Sequence, residues 1–245
     1  MDFANMIKNI FVVGVTRMRG GYVCISGITE DGHFVRPEIK YQDRVGIHKT
    51  FLFDDSQNLV LRPLVKVELD FIRPKPQSQF HTEDWIINGN YKPKLIEVPT
   101  DVEKKRILQK HTDHSLEVAL ADQNRSLIII KPQEVPLVDI SIWDESLRCH
   151  LTFRDQAGDL HRRLPVTDAN WLAVCRWLWM TQTDKKIIPE MLRGYLRDKE
   201  IFLRIGITRE FQGQKWRQIS GVFSIPDWLG GRTFTDFGYD FDDHV

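Results

Sequence analysis

Apolar and polar residues alternate with period two along much of this chain, which predicts a protein built mainly of strands. From Leu64 onward, Val65, Val67, Leu69 and Phe71 alternate with Lys66, Glu68 and Asp70, the pattern of a strand with one buried face, and Pro74 and Pro76 end it. Leu137 to Trp143 and Leu147 to Phe153 alternate in the same way, and only Asp144 and Glu145 separate them, which predicts a hairpin. Residues 10 to 17 and 21 to 28 predict an opening hairpin, with His33 to Arg36 as a short third strand stopped by Pro37. Ser126 to Ile130 reads as a buried strand, Leu160 to Leu164 follows the turn at Asp155 to Gly158, and two more strands fall near 201 to 208 and 216 to 223. Helical spacing occurs twice. Asp101 to His111 carries Lys104, Lys105, Arg106 and Lys110 toward its end, which suits the helix dipole. The second helix starts near Asp168, a candidate cap, and carries an apolar stripe of Trp171, Leu172, Val174, Cys175, Leu178 and Trp179.

One phrase occurs twice. Gly14-Val15-Thr16-Arg17 precedes Gly20-Gly21 and Ile25-Ser26-Gly27-Ile28, and Gly206-Ile207-Thr208-Arg209 precedes Gly213 and Ile219-Ser220-Gly221-Val222. Each copy reads as a strand, a glycine-bearing turn and a return strand, so an Arg stands at the same end of two similar hairpins. The first copy opens its half of the chain and the second closes its own, which makes this a likeness of hairpins rather than of whole domains.

The order in the second half, three meandering strands, a helix and two strands, is that of the OB fold, a five-stranded Greek-key barrel. The expectation is a mainly β protein with a few helices and two OB-like barrels. Residues 1 to 133 would form the first, with a large insertion at about 75 to 120, residues 134 to 235 the second, and residues 236 to 245 an acidic, aromatic tail.

With 42% hydrophobic and 28% charged residues over 245 positions, the chain is long enough to bury a core. It lacks an apolar run long enough to span a bilayer and a signal-peptide pattern, so a cytoplasmic protein is expected. Cys24, Cys149 and Cys175 are far apart and suggest neither a disulfide framework nor zinc. Formal charge is +0, but the charges are segregated. The last ten residues hold Asp236, Asp240, Asp242 and Asp243 with no Lys or Arg, whereas Lys185 to Arg217 holds nine basic and four acidic side chains. His111-Thr112-Asp113-His114 lacks a third ligand at metal-site spacing, and the cluster of His81, Glu83 and Asp84 beside Trp85 reads as a solvated loop. No phosphate loop, dinucleotide fingerprint, nucleophile elbow or zincin motif occurs. Neither a cofactor nor a metal is expected.

With both Arg-bearing hairpins in view, together with Phe34-Val35-Arg36-Pro37 and the closing Pro226-Asp227-Trp228-Leu229-Gly230-Gly231-Arg232, the chain resembles the prokaryotic dual-OB-domain family over nearly its whole length. The resemblance implies paired OB modules that bind nucleic acid or a nucleotide-like ligand, and it supplies no catalytic residues. Modules of this kind stack bases on exposed aromatics while Lys and Arg track phosphates. The expected single-strand-binding residues are Arg17, Arg19, Tyr22 and Arg36 on the first side and Arg204, Arg209, Lys215, Trp216 and Arg217 on the second. Arg17 and Arg209 serve equally well as structural latches at glycine-bearing turns. The spacing of Trp171, Trp177 and Trp179 fits packing better than stacking. The tail, alternating acids with rings, reads first as an exposed or simply packed terminus, and otherwise as a strand mimic that folds over a basic groove or docks on a protein partner. The alternative functions are a protein-interaction adaptor in a larger complex and a nucleotide sensor.

Overall fold

Tyr22 to Thr29 (β2) folds back on Met6 to Arg17 (β1), with Gly14 opposite Ser26 and Thr16 opposite Cys24. The computed structural model describes residues 6–18, 20–41, 45–75, 81–143, 146–209 and 213–241. The meander continues through Phe34 to Lys40 (β3), Val45 to His48 (β4), Lys66 to Pro74 (β5) and Asp84 to Ile87 (β6). These strands close on themselves in the order β1-β2-β4-β3-β6-β5, with β5 returning to β1. Strands β3 and β6 run parallel, and the other pairs are antiparallel.

Two details differ from the five-stranded expectation. β2 and β3 pair directly only at Gly27 to Ile28, and beyond that they diverge, so β4 enters between them and takes up backbone groups that would otherwise be edges. The closing strand β6 lies inside the segment read as an insertion. Lys94 to Glu97 (β7) then adds to β5. Asp101 to Lys110 forms α1, and its start is fixed by a reciprocal cap between Thr100 and Glu103.

Thr112–Asp113 (β8) and Leu116 to Ala121 (α2) lead to Leu127 to Ile130 (β9), which hydrogen-bonds to Glu200 to Ile207, numbered below as β13. The expected hairpin follows as Glu134 to Trp143 (β10) and Ser146 to Arg154 (β11), its turn at Asp144 and Glu145 lying outside the described residues. Leu160 to Pro165 (β12) joins β11, and Asp168 caps Ala169 to Thr181 (α3) by accepting from the Trp171 N–H at 2.7 Å. Ile188 to Leu196 (α4), β13 and Arg217 to Ile225 (β14) complete the second unit. Its strands form two sheets, β10-β11-β12 and β14-β13-β9-β8, joined by a parallel bridge between Val166 and Ile219.

Alternation along these strands builds one apolar core per unit, and α3 serves both. Trp171, Val174, Cys175 and Leu178 enter the second core, while Ala169 and Ala173 pack into the first. A third cluster, including Phe11, Val13, Ile129, Phe202 and Phe223, lies between them and joins β1 to β13 and β14. Among the described residues, no helix is long and apolar enough to cross a membrane.

The tail is a packed terminus. Through residue 241 it is not splayed for docking, because Phe234, Tyr239 and Phe241 are buried in the first core and the Lys49 ammonium donates to the Asp240 carbonyl at 3.0 Å. Asp236, though exposed, accepts from the Thr233 N–H at 2.7 Å. Each buried ring removes enough apolar surface from water to contribute about 1.5–3 kcal/mol, which outweighs leaving the rings free. Asp242 and Asp243 lie outside the described residues.

Candidate functional site

The two copies of the repeated phrase meet. β1 lies against β14, and the hairpins are stitched together by a hydrogen bond from Thr16 Oγ1 to the Ser220 carbonyl (3.4 Å) and another from Arg204 Nη1 to Ser26 Oγ (2.7 Å). The glycines of the phrase make this approach feasible. A Cβ on Gly14 would stand 2.5 Å from Arg204 Nη1 and 2.7 Å from Ser26 Oγ, and one on Gly221 would stand 2.5 Å from the Phe223 ring. A bulge precedes each phrase, between Val12 and Gly14 in one hairpin and between Arg204 and Ile205 in the other, and swings it out of plain strand register.

The juxtaposition opens a cleft of about 340 Å³. Arg17, Cys24, Arg36 and Glu38 line it from the first barrel, and Arg204 and Arg209 line it from the second unit. Arg36 Nε donates to Asp84 at 2.5 Å with both side chains buried, and Arg209 Nη2 donates to Asp84 at 3.0 Å and also to Glu38. Lys75 reaches the other Glu38 oxygen at 3.2 Å. One carboxylate of the first barrel therefore binds an Arg of each unit.

Three buried groups in and around the cleft are electrostatically out of the ordinary. Burial pushes the Asp168 carboxyl up to about 7, against the hydrogen bonds and the Arg204 charge that favour its ionised form. Burial likewise lowers Arg204 to about 10. Burial, with Arg36 nearby, also holds His81 below its usual value. Its Nε2 lies 3.3 Å from the Ile207 carbonyl, so that nitrogen carries the proton.

Of the residues expected to bind a strand, Arg17, Arg36, Arg204 and Arg209 come together here, but not as four exposed phosphate contacts. Arg204 is 2% exposed and Arg36 is 8% exposed, so neither tracks a backbone across an open surface. Arg17 is half-buried and lies beside Tyr239, whose hydroxyl burial pushes up to about 12. Tyr22 packs edge-on against Tyr41 and His48. Lys215, Trp216 and Arg217 are exposed on the adjoining hairpin end, where the Trp216 carbonyl accepts from the Thr208 N–H (2.8 Å), the Trp216 N–H donates to Thr208 Oγ1 (2.9 Å), and Arg217 pairs with Glu117 (2.8 Å). Arg19 lies outside the described residues.

The acidic half of the site escaped sequence reasoning. His81, Glu83 and Asp84 are not a solvated loop: all three are buried, and Glu83 accepts from the Ser126 and Leu127 N–H groups (2.5 and 3.1 Å) at the entry to β9. Trp85 beside them was the available signal, since a ring next to three polar residues marks a buried junction as readily as a loop. The ring nitrogens of His111 face the Ile107 and Gly32 carbonyls. Trp171 is buried against Trp228, in agreement with its expected packing role. A larger groove of about 620 Å³ contains Arg125, but Asp113 already binds that guanidinium through two hydrogen bonds of 2.7 and 3.0 Å.

Comparison with known proteins gives three findings. The family described as dual OB-containing domain matches residues 8–222. No curated protein matches the chain. Among solved structures, a chain of the replication protein A heterotrimer bound to ssDNA aligns with a TM-score of 0.33 at 8% identity, covering 88% of this chain and 49% of that one. The chain thus spans about half the length of that relative.

Proposed function

Because the chain belongs to the dual OB-containing domain family, we propose that it is a non-catalytic nucleic-acid-binding protein that holds single-stranded DNA or RNA at the cleft between its barrels. OB barrels use the face of their second and third strands, flanked by the loops after the first and fourth strands, to hold oligonucleotides. The observation that carries the reading is the composition of this cleft. Its lining joins β2 and β3 of the first barrel, Arg17 at the start of the β1–β2 turn, and Arg209 at the start of the β13–β14 turn. Trp216, 55% exposed next to it, offers a stacking surface, with Lys215 and Arg217 as its cationic flanks.

Fluorescence polarisation of labelled oligonucleotides against salt tests this. Affinity should fall log-linearly with salt as phosphate counterions are released. Trp216→Ala should weaken binding by about 1–3 kcal/mol, the scale of one base stacked on an aromatic ring. Arg209→Ala should weaken it and flatten the salt slope. No measurable binding at low salt, or binding indifferent to both substitutions, would sink the reading. Parallel titrations with DNA and RNA of one sequence identify the preferred strand.

A further inference from the structure

Two buried guanidinium groups in the cleft carry donors with nothing to donate to. Arg36 spends Nε on Asp84, but its Nη2 is buried without a hydrogen-bond partner among the described residues. Arg204 gives Nη1 to Ser26, but its Nε is buried and likewise unmatched, and it forms no ion pair among the described residues. A buried cation with unmatched N–H groups is unfavourable unless something compensates it. Asp168 is a weak counter-charge, since burial favours its neutral form. The acids at the cleft, Glu38 and Asp84, are already taken by Arg36, Arg209 and Lys75. The unmatched groups of the two arginines are therefore donors, on side chains near enough that the Arg36 charge acts on Arg204, while one buried oxygen of the neighbouring Asp168 is unmatched as well.

Such an arrangement calls for a compact anion with several acceptor oxygens. Guanidinium forks match phosphate oxygens in geometry, and the cleft, at about 340 Å³, falls within the range of small-ligand pockets. We propose that the cleft is a phosphate pocket, in which Arg36 Nη2 and Arg204 Nε, with Arg17 lining the same space, hold the terminal phosphate of a nucleotide or of an oligonucleotide. This rests on the cleft being the ligand site proposed above, but not on a strand occupying it.

The full chain itself provides the reporter. Cys24 is half-buried in the cleft wall, whereas Cys149 and Cys175 are 1% and 0% exposed, so alkylation of the folded protein reads Cys24. Inorganic phosphate, compared with chloride at equal ionic strength, should slow that alkylation and raise the melting temperature. Arg36→Lys retains a cation for Asp84 but loses the fork, and should weaken phosphate binding by about ten- to hundredfold, the equivalent of one charge-assisted hydrogen bond. Should that variant fail to fold, protection of Cys24 in the unaltered protein still decides. Adenosine monophosphate against adenosine, and 5′-phosphorylated against 5′-hydroxyl oligonucleotide, distinguish a free nucleotide from a strand end. Equal alkylation and melting in phosphate and chloride would overturn the pocket, even if salt-sensitive strand binding persisted. Protection by phosphate without strand binding would support the pocket and overturn the strand reading.

Discussion

Asp168 illustrates how one buried side chain answers for several parts of the molecule. It caps α3, bridges the backbone at Thr16 and lies in the field of Arg204. Its folded pKa, pushed up to about 7 from 3.8 by burial, sets a direction for stability. Between those values the folded state holds a proton that the unfolded chain has released, so this group's contribution is lost as pH rises through the window and levels off above it. Asp168→Asn keeps an oxygen for the Trp171 N–H and removes the titration. Urea denaturation from about pH 4.5 to about 7.5 should therefore show the unaltered protein losing stability relative to the variant. Parallel stability curves would contradict the assignment. The sequence exposed one side of this site and concealed the other. Arg17 and Arg209 stand out because their phrase is repeated, whereas their acidic counterparts lie far off in the chain, Glu38 being 171 positions and Asp84 125 positions from Arg209. Distance in sequence, not lack of chemistry, hid them.

Among the elements, those with period-two patterns longer than one turn of pattern were legible and those of four residues were not. β5, β10 and β11 lie where alternation put them, and α3 begins at its Asp168 cap. β6 is only Asp-Trp-Ile-Ile, and nothing local distinguishes it from an ordered loop; its identity comes from parallel pairing with Arg36 to Glu38. β4 is equally short and exists because β2 and β3 separate. The tail was only half legible, since alternating acids and rings fits both an exposed mimic and a packed terminus. Burial of Phe234 at 1% exposure decides for the strap. Phe234→Ala should cost about 3–5 kcal/mol in denaturant unfolding, as large core truncations do, with oligonucleotide affinity of the folded protein unchanged. A gain in affinity without loss of stability would restore the mimic.

At the scale of the molecule the two units are not beads on a string. They share α3, the cluster around Phe11, Phe202 and Phe223, and the bond from Arg204 to Ser26. The expected consequence is one unfolding transition. Backbone circular dichroism, which samples both barrels, and tryptophan fluorescence, weighted toward the second through Trp171 and Trp228, should give coincident urea midpoints. Two midpoints would mean that the barrels unfold separately. Fusion of the two units was not legible in the sequence, because the third cluster draws single residues from β1, β9, β13 and β14 with no shared local pattern.

The packing of Phe234, Tyr239 and Phe241 into the first core also bears on how the chain is made. Strands β1 to β6 are synthesised by residue 87, and the rings that cover their barrel come about 150 residues later, roughly ten seconds or more at the usual ~5–20 residues per second. Throughout that interval the nascent barrel keeps an apolar end open to water and to whatever waits at the ribosome exit. The half of the protein made first is completed last.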